Sequence, residues 1–180
     1  MINIETNRLI LRNFMIEDID DFFDYMSLES TAKYENFDPM TYDECVATIK
    51  RRIEKDNVMA VALKSNGKVI GDVSFSKDDY DTFDISYDFN EKFHNMGYAT
   101  EASLAMLNHI FNDLSARRVR AECNDDNFAS IRLLERMGMR REGYFIEDVT
   151  FKNDENGNPI YISSYLYAIL KREWELLSAK

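Results

Sequence analysis

Residues 83–112 carry the pattern that most restricts the fold. Phe83, Ile85, Tyr87 and Phe89 place apolar side chains at every second position, the period of a half-buried strand. Ala99, Ala102, Met106, Leu107, Ile110 and Phe111 then recur at three- and four-residue intervals, which draws an apolar stripe along a helix. Between them Glu91-Lys92-Phe93-His94-Asn95-Met96-Gly97 is short, so the strand feeds directly into the helix N-terminus. There the first-turn N–H groups lack helical acceptors and the positive end of the helix dipole faces out, an arrangement that accommodates phosphate. Gly97 lets the backbone approach a ligand closely. An ordinary strand-to-helix connection satisfies the same residues, so these residues alone leave both readings open. Residues 118–123 alternate again, and the intervening helix is long enough for a right-handed crossover to a parallel neighbour. The loop at 91–97 is thereby expected at the C-terminal edge of a parallel pair, where open α/β sheets bind ligands.

The remaining elements follow from local signals. Residues 8–12 read as a first strand, reached through Glu5-Thr6-Asn7, and a helix is expected from near Glu17 with Ile19, Phe22, Phe23 and Met26 inward. Asp38-Pro39 breaks the chain. Thr41-Tyr42-Asp43-Glu44 then has the capping-box pattern, opening a helix with Val46, Ile49 and Ile53 on one face. Residues 58–63 and 69–75 are rich in branched side chains and flank Ser65-Asn66-Gly67-Lys68, whose Asn-Gly pair predicts a hairpin turn with positive φ at both central residues. A third strand follows the polar turn 77–81. Downstream, the turn 124–127 offers capping residues to a helix with Ile131, Leu134 and Met137 in its stripe and Gly138 as its left-handed end. Strands at 144–151 and 160–170 surround a turn at 153–159, before a last helix around Trp174. The chain has no internal repeat, linker or low-complexity segment.

A chain of 180 residues that is 45% hydrophobic and 13% aromatic can fill one core, so a single domain over 1–180 is expected. The formal net charge of −11 argues against nucleic acid as a partner. It favours a cationic partner only weakly, since a negative field also serves solubility. An anionic cofactor must then be attracted by local groups: Lys92, His94, the helix N-terminus and Arg132. No basic, apolar leader and no membrane-length apolar run is present, so a cytoplasmic protein without a membrane segment is expected. Cys45 and Cys123 show neither metal-ligand spacing nor a disulfide framework and read as buried thiols. No metal site is expected.

Residues 92–102 resemble the acyl-CoA pyrophosphate loop of the GNAT superfamily of N-acetyltransferases. Gly97-Tyr98-Ala99-Thr100-Glu101-Ala102 is similar to the form found in the branch that acetylates ribosomal-protein N-termini (RimJ/RimL-like). Lys92 stands where Gln or Arg is usual and Asn95 where the first Gly is usual; Asn tolerates left-handed backbone better than most residues. Glu5-Thr6-Asn7-Arg8-Leu9-Ile10-Leu11-Arg12 resembles the opening of the same branch. Residues 127–139, followed by Arg141-Glu142-Gly143, resemble its second signature. The resemblance implies an α/β fold: a mixed, mostly antiparallel central sheet, helices on both faces and a V-shaped splay between two parallel strands. It also implies acetyl-CoA as co-substrate.

Acetyl transfer from a thioester to an amine needs a neutral amine held against the carbonyl, donors for the oxyanion and a proton for the departing thiolate. By resemblance, Phe89 and Asn90 meet the cofactor through main chain. Lys92, His94, Asn95, Met96, Gly97, Tyr98, Ala99 and Thr100 form its loop, and Asn127 holds the pantetheine amides. The Tyr that many relatives use as acid is Leu134 here; Ser130 is the branch's alternative, with helix capping as its plainer reading. The branch's basic Glu falls on Val149. Glu147, two residues earlier and so expected on the same face, is a substitute or simply a surface carboxylate. Asp84 is implied as an acceptor-site acid, and Tyr34 and Phe37 as walls of that site. Tyr167 reads as an acceptor contact or as a core residue with its hydroxyl at the surface. A weakly defined base suits an amine of low pKa: about a third of an α-amine is neutral at pH 7.5, against about 0.1% of a lysine. The expected reaction is acetylation of a primary amine, a peptide or protein N-terminus first. The alternatives are a polyamine or aminoglycoside acceptor, and a catalytically weak acyl-CoA-binding regulatory module. The aromatic-rich last strand is expected to offer a surface for a homodimer.

Overall fold

The structure, a computed structural model, describes residues 2–178. Its strands are β1 (Asn3–Glu5), β2 (Leu9–Asn13), β3 (Val58–Leu63), β4 (Val69–Lys77), β5 (Thr82–Phe89), β6 (Arg118–Asn124), β7 (Arg140–Asn153) and β8 (Pro159–Leu170). Its helices are α1 (Ile19–Met26), α2 (Glu29–Ala32), α3 (Tyr42–Ile53), α4 (Tyr98–Asn112), α5 (Phe128–Arg136) and α6 (Lys171–Ser178). The strands are ordered β1-β2-β3-β4-β5-β6-β8-β7. This is the mixed, mostly antiparallel sheet expected, with β5 and β6 as its parallel pair. Their ladder joins Thr82, Phe83 and Asp84 to Arg118, Val119 and Arg120, and β5 continues beyond it to Phe89. No helix among the described residues is long and apolar enough to cross a membrane.

The chain packs as two compact units: residues up to Ser76 with Ser86–Met106, and Lys77–Ile85 with the residues from Leu107 onward. In the first, Phe14, Phe22, Tyr25, Met26, Cys45, Ile49, Ala60, Ala62 and Val69 form a buried cluster, with Ile19, Phe23, Phe37, Met40 and Ile53 packed around it. Phe22 meets the rings of Phe14 and Tyr25 edge-on, at 5.6 and 5.4 Å between centroids. α3 begins at the predicted capping box: Thr41 Oγ1 accepts from the Glu44 N–H, and Glu44 Oε2 accepts from the Thr41 N–H at 2.8 Å. Its most buried side chains are Cys45 and Ile49, while Val46 is half-buried.

Asn66-Gly67 does not form the turn the pair predicts. Only Gly67 has positive φ, 76°, and Leu63 and Lys68 close a four-residue loop through the Leu63 N–H to the Lys68 carbonyl at 2.9 Å. The Asn66 side chain accepts from the Lys68 N–H at 3.1 Å, replacing the backbone acceptor that a second left-handed residue would have supplied. β1 was not expected; three residues paired on β2 are too short to show a period.

In the second unit, Phe111 stacks on Trp174 at 6.0 Å, and Val119, Ile131, Leu134, Met137 and Ile169 are buried. α5 stops where expected, with Gly138 at φ 78°. β8 is hydrogen-bonded to β6 on one side and β7 on the other, so the last strand of the chain is an interior strand of the sheet. β7, not β8, is the terminal strand of the order at this end of the sheet.

Candidate active site

The loop after β5 is built tightly. Asn90 is fully buried; its N–H donates to the Ile70 carbonyl at 2.9 Å, its Oδ1 accepts from the Lys92 N–H at 3.1 Å, and its Nδ2 donates to Asp24 at 3.0 Å. A short 3-10 turn over Glu91–Phe93 follows, then Asn95 at φ 60° and Gly97 at φ 82°, and α4 starts at Tyr98. Asn95 thus adopts the left-handed backbone that glycine would otherwise supply. The Glu101 N–H reaches the Gly97 carbonyl at 3.0 Å, the first turn closed within α4. The N–H groups just before it are those that helix geometry leaves without helical acceptors.

A clamp fixes this turn. Glu101 Oε1 accepts from the Thr6 hydroxyl at 2.6 Å and the Arg8 N–H at 2.7 Å, and its Oε2 accepts from Arg8 Nε at 2.7 Å. Arg8 Nη1 donates to the Met96 carbonyl at 2.9 Å, and the guanidinium lies 4.2 Å from the centre of the Tyr98 ring. Burial opposes ionisation of Glu101, but the hydrogen bonds from Thr6 and Arg8 outweigh it and hold the carboxyl below its usual range. The sequence marks Thr6 as the approach to a strand, Arg8 as the first residue of that strand, and both as part of the opening that resembles the family, with no sign of Glu101. The contact spans more than ninety residues, and no local period announces it.

Two of the side chains assigned to cofactor attraction are engaged elsewhere. Lys92 Nζ pairs with Asp24 at 2.6 Å, a hydrogen bond that holds Asp24 below its ordinary value, and His94 Nε2 lies 3.0 Å from the Phe89 carbonyl. The third, Arg132, is exposed on α5.

Beside Phe89, the first unit holds acids that the sequence reading passed over. Asp72 on β4 is buried and accepts from the Tyr25 hydroxyl at 2.7 Å; Arg52 Nη1 on α3 lies 2.8 Å from the same oxygen. The Arg52 guanidinium sits over the Phe22 and Phe14 rings at 4.9 and 5.3 Å. β4 and β5 approach so closely here that a Cβ on Gly71 would lie 2.4 Å from the Asp88 carbonyl oxygen. Burial, then the charges of Asp72 and Glu35, push the Asp88 carboxyl well above its ordinary value, with Arg52 opposing. Burial, then Asp72, push Glu35 up to about 7. Among the described residues no group of three or more such side chains is arranged to hold a metal ion. Glu35 lies between the two aromatics assigned to the acceptor wall: Tyr34, half-buried with Lys33 Nζ 4.4 Å from its ring, and Phe37, which packs against the core. One signal was available for Asp72, an acid set in the branched run Val69, Ile70, Val73, where an inward charge needs a reason.

In the second unit the helix cap is Asn127, not Ser130: Asn127 Oδ1 accepts from the Ser130 N–H at 3.1 Å. The plainer reading of Ser130 is corrected accordingly, because Ser130 lies three residues into the cap and receives it. The Ser130 side chain hydrogen-bonds the Cys123 thiol, which burial pushes up to about 11. Cys45 is likewise buried and pushed up to about 11. Asp84 is paired with Arg120 at 2.6 Å, and Arg120 also reaches Asp78 at 2.8 Å. Tyr167 is 1% exposed, and its hydroxyl accepts from Arg141 Nε and Nη2 at 3.1 and 2.9 Å, so it is a core residue whose hydroxyl is bound rather than at the surface. Glu147 does not share a face with Val149 by alternation. The register of β7 against β8 shifts between Phe145 and Val149, Glu147 sits at φ 50°, and its N–H donates to Ser163 Oγ at 3.0 Å. A bulge breaks the two-residue period on which that expectation rested. The neighbouring Asp148 accepts from Ser164 Oγ at 3.2 Å instead.

A family model described as an acetyltransferase (GNAT) domain matches residues 8–140. The Bacillus subtilis (strain 168) protein named uncharacterized N-acetyltransferase YnaD is 31% identical over 174 residues, covering 96% of this chain and 99% of its own length. The crystal structure of a GNAT-family acetyltransferase from Bacillus anthracis superposes with a TM-score of 0.87 at 30% identity, over 95% of this chain and 99% of that one. The ribosomal-protein-S5-alanine acetyltransferase of Vibrio fischeri shares the fold, with a TM-score of 0.77 at 16% identity over 97% of this chain and 99% of its own. A left-handed loop opening α4, a mixed sheet with one parallel pair and these likenesses agree, and the chain belongs to the GNAT family of N-acetyltransferases.

Proposed function

We propose that this acetyltransferase modifies the α-amine of a peptide or protein N-terminus, with acetyl-CoA as the donor and the whole chain as one catalytic domain. The observation that carries the acceptor reading is Glu35, a carboxyl held near pH 7 in the unit that contains the cofactor loop. A base of that strength lies within about one unit of an α-amine, whose pKa is near 7.8, but more than three below a lysine-type amine. Proton transfer from an N-terminal ammonium to Glu35 is therefore nearly balanced, and from a lysine strongly uphill.

The loop fits a pyrophosphate. Asn95 and Gly97 are left-handed, and a Cβ at Gly97 would meet only Arg8 Nη2, at 3.3 Å. The N–H groups of residues 95–100 hold the phosphates in this reading, and the Asn127 amide holds the pantetheine arm. Because the Asn90 N–H is committed to Ile70, main-chain contact to the cofactor falls to Phe89. When bound, acetyl-CoA supplies the acetyl group as a thioester, activated for attack. Glu35 takes the proton that the acceptor nitrogen must lose before the new N–C bond forms. Ser130 donates to the sulfur as the C–S bond breaks. Lys92 and His94 shape the loop through Asp24 and Phe89 rather than meeting phosphate. A cytoplasmic protein fits such a reaction.

A second reading has its own support. Glu35, Asp72 and Asp88 against the single Arg52, with a net charge of −11, favour a multiply charged small amine such as a polyamine. Mass spectrometry of acetyl-CoA reactions with N-terminal peptides, polyamines and aminoglycosides separates the two. Acetylation confined to peptides carries the first reading, and acetylation confined to polyamines replaces it.

A further inference from the structure

We infer that Arg8 both positions the cofactor loop and completes it as a phosphate-binding residue. Its backbone and guanidinium tie the turn at Met96–Glu101, and its second amino group faces the pyrophosphate site at Gly97. The inference rests on the cofactor reading above and adds a residue that precedes the loop by almost the length of the unit.

The guanidinium is divided between two tasks. Nε is spent on Glu101 and Nη1 on the Met96 carbonyl, at 2.7 and 2.9 Å, which fixes the plane of the fork. Nη2 has no hydrogen-bond partner among the described residues and lies 3.3 Å from where a Gly97 Cβ would stand. The side chain is 41% exposed, so the group is open to solvent, and the Tyr98 ring beneath it restricts its rotamers. Nη2 is thus a charged donor held rigidly beside Gly97 of the proposed pyrophosphate loop. Charge-assisted donors to phosphate are among the stronger hydrogen bonds, and preorganisation removes the ordering cost.

The same arrangement resolves a conflict within the loop. Glu101 in the first turn of α4 suits the helix dipole, yet its negative charge would repel a phosphate at that terminus. Arg8 pairs with it and offsets the repulsion while leaving two N–H bonds for the ligand. Lys92 serves Asp24 and His94 lies against the Phe89 carbonyl, so neither is positioned for this. A lysine at position 8 would keep the charge but lack the fork, and would lose either the clamp or the ligand contact.

The test compares CoA with pantetheine, which lacks the pyrophosphate, by calorimetry on the full chain, and acetyl-CoA with acetyl-pantetheine by KM and kcat. Arg8→Gln is expected to weaken CoA about tenfold or more. Its effect on pantetheine binding should stay within about twofold, with KM for acetyl-CoA rising and kcat little changed. Arg8→Lys should fall between wild type and Arg8→Gln for CoA, with urea unfolding reporting the intact fold of both variants. Equal losses for CoA and pantetheine, or no loss for CoA in either variant, would overturn the inference while leaving the enzyme assignment in place. If the wild-type chain fails to bind CoA, the cofactor reading falls first and this inference with it.

Discussion

Glu35→Gln is expected to make the protein more stable and less active, both in a pH-dependent way. The carboxyl stands at about 7 in the folded chain against an ordinary 4.5. Below pH 4.5 it is protonated in both states and contributes no difference. As pH rises through 7, the folded chain must ionise it in a buried setting beside Asp72 on β4 and Asp88 on β5, while the unfolded chain ionises it in water. Wild type therefore loses stability between about pH 4.5 and 7. A displacement of this size corresponds to at most about 3 kcal/mol, and partial exposure of Glu35 reduces it to about 1–2 kcal/mol. Urea unfolding at pH 4 and pH 8 measures the difference: the variant should match wild type at the lower pH and exceed it by about 1–2 kcal/mol at the higher, or about 2–8 °C in Tm. Activity should move the other way. The rising limb of kcat/KM should shift from near pH 7 to the acceptor amine's own titration near pH 7.8, and the rate at pH 7.5 should fall about a hundredfold, the low end for loss of a general base because part of an α-amine is already neutral. Parallel stability curves for the two proteins from pH 5 to 8 would refute the burial argument. A variant whose rate at pH 7.5 and whose pH profile both equal those of wild type would refute Glu35 as the base.

Three further outcomes follow from the geometry. Gly71→Ala places a Cβ 2.4 Å from the Asp88 carbonyl oxygen, about 1 Å inside ordinary contact, so β5 must move; we expect a loss of about 2–4 kcal/mol in urea unfolding and weaker CoA binding, whereas Gly67→Ala, which meets nothing within 4 Å, costs about 1 kcal/mol. Asn95→Gly replaces a residue already at φ 60°, so calorimetry should show CoA affinity changed by less than about threefold. Thr41→Ala removes the hydroxyl that accepts from the Glu44 N–H while leaving the Thr41 N–H to donate to Glu44 Oε2, and should lower stability by about 1 kcal/mol without altering kcat.

What could be read from the chain divides by distance. Alternation at Phe83–Phe89, the stripe on α4 and the Thr41–Glu44 cap are encoded by residues a few positions apart, and each formed as expected. Asn66-Gly67 was misread because the Asn side chain supplied the acceptor that the turn rule assigns to the backbone. Glu147 was misplaced because a bulge adds residues to one strand only, which the period of that strand does not disclose. Asp72, Asp88 and Glu35 lie on three separate elements, and their mutual repulsion exists only once those elements pack. The assignment of Lys92 to phosphate overlooked Asp24, sixty-eight residues earlier, for the same reason.

The bond from Thr6 and Arg8 to Glu101 also has a bearing on time. It joins positions 95 and 93 residues apart, so the turn that opens α4 cannot be locked until nearly the whole first unit has been made and folded back. Closing so long a loop carries an entropic cost that rises slowly with length but must be met before the contact gives anything in return. α4 and the hairpin of β3 and β4 rest on near neighbours and can form early. On the proposed reading of this loop as the cofactor site, competence to hold the cofactor is then among the last properties this chain acquires as it folds, and among the first it loses as the chain loosens.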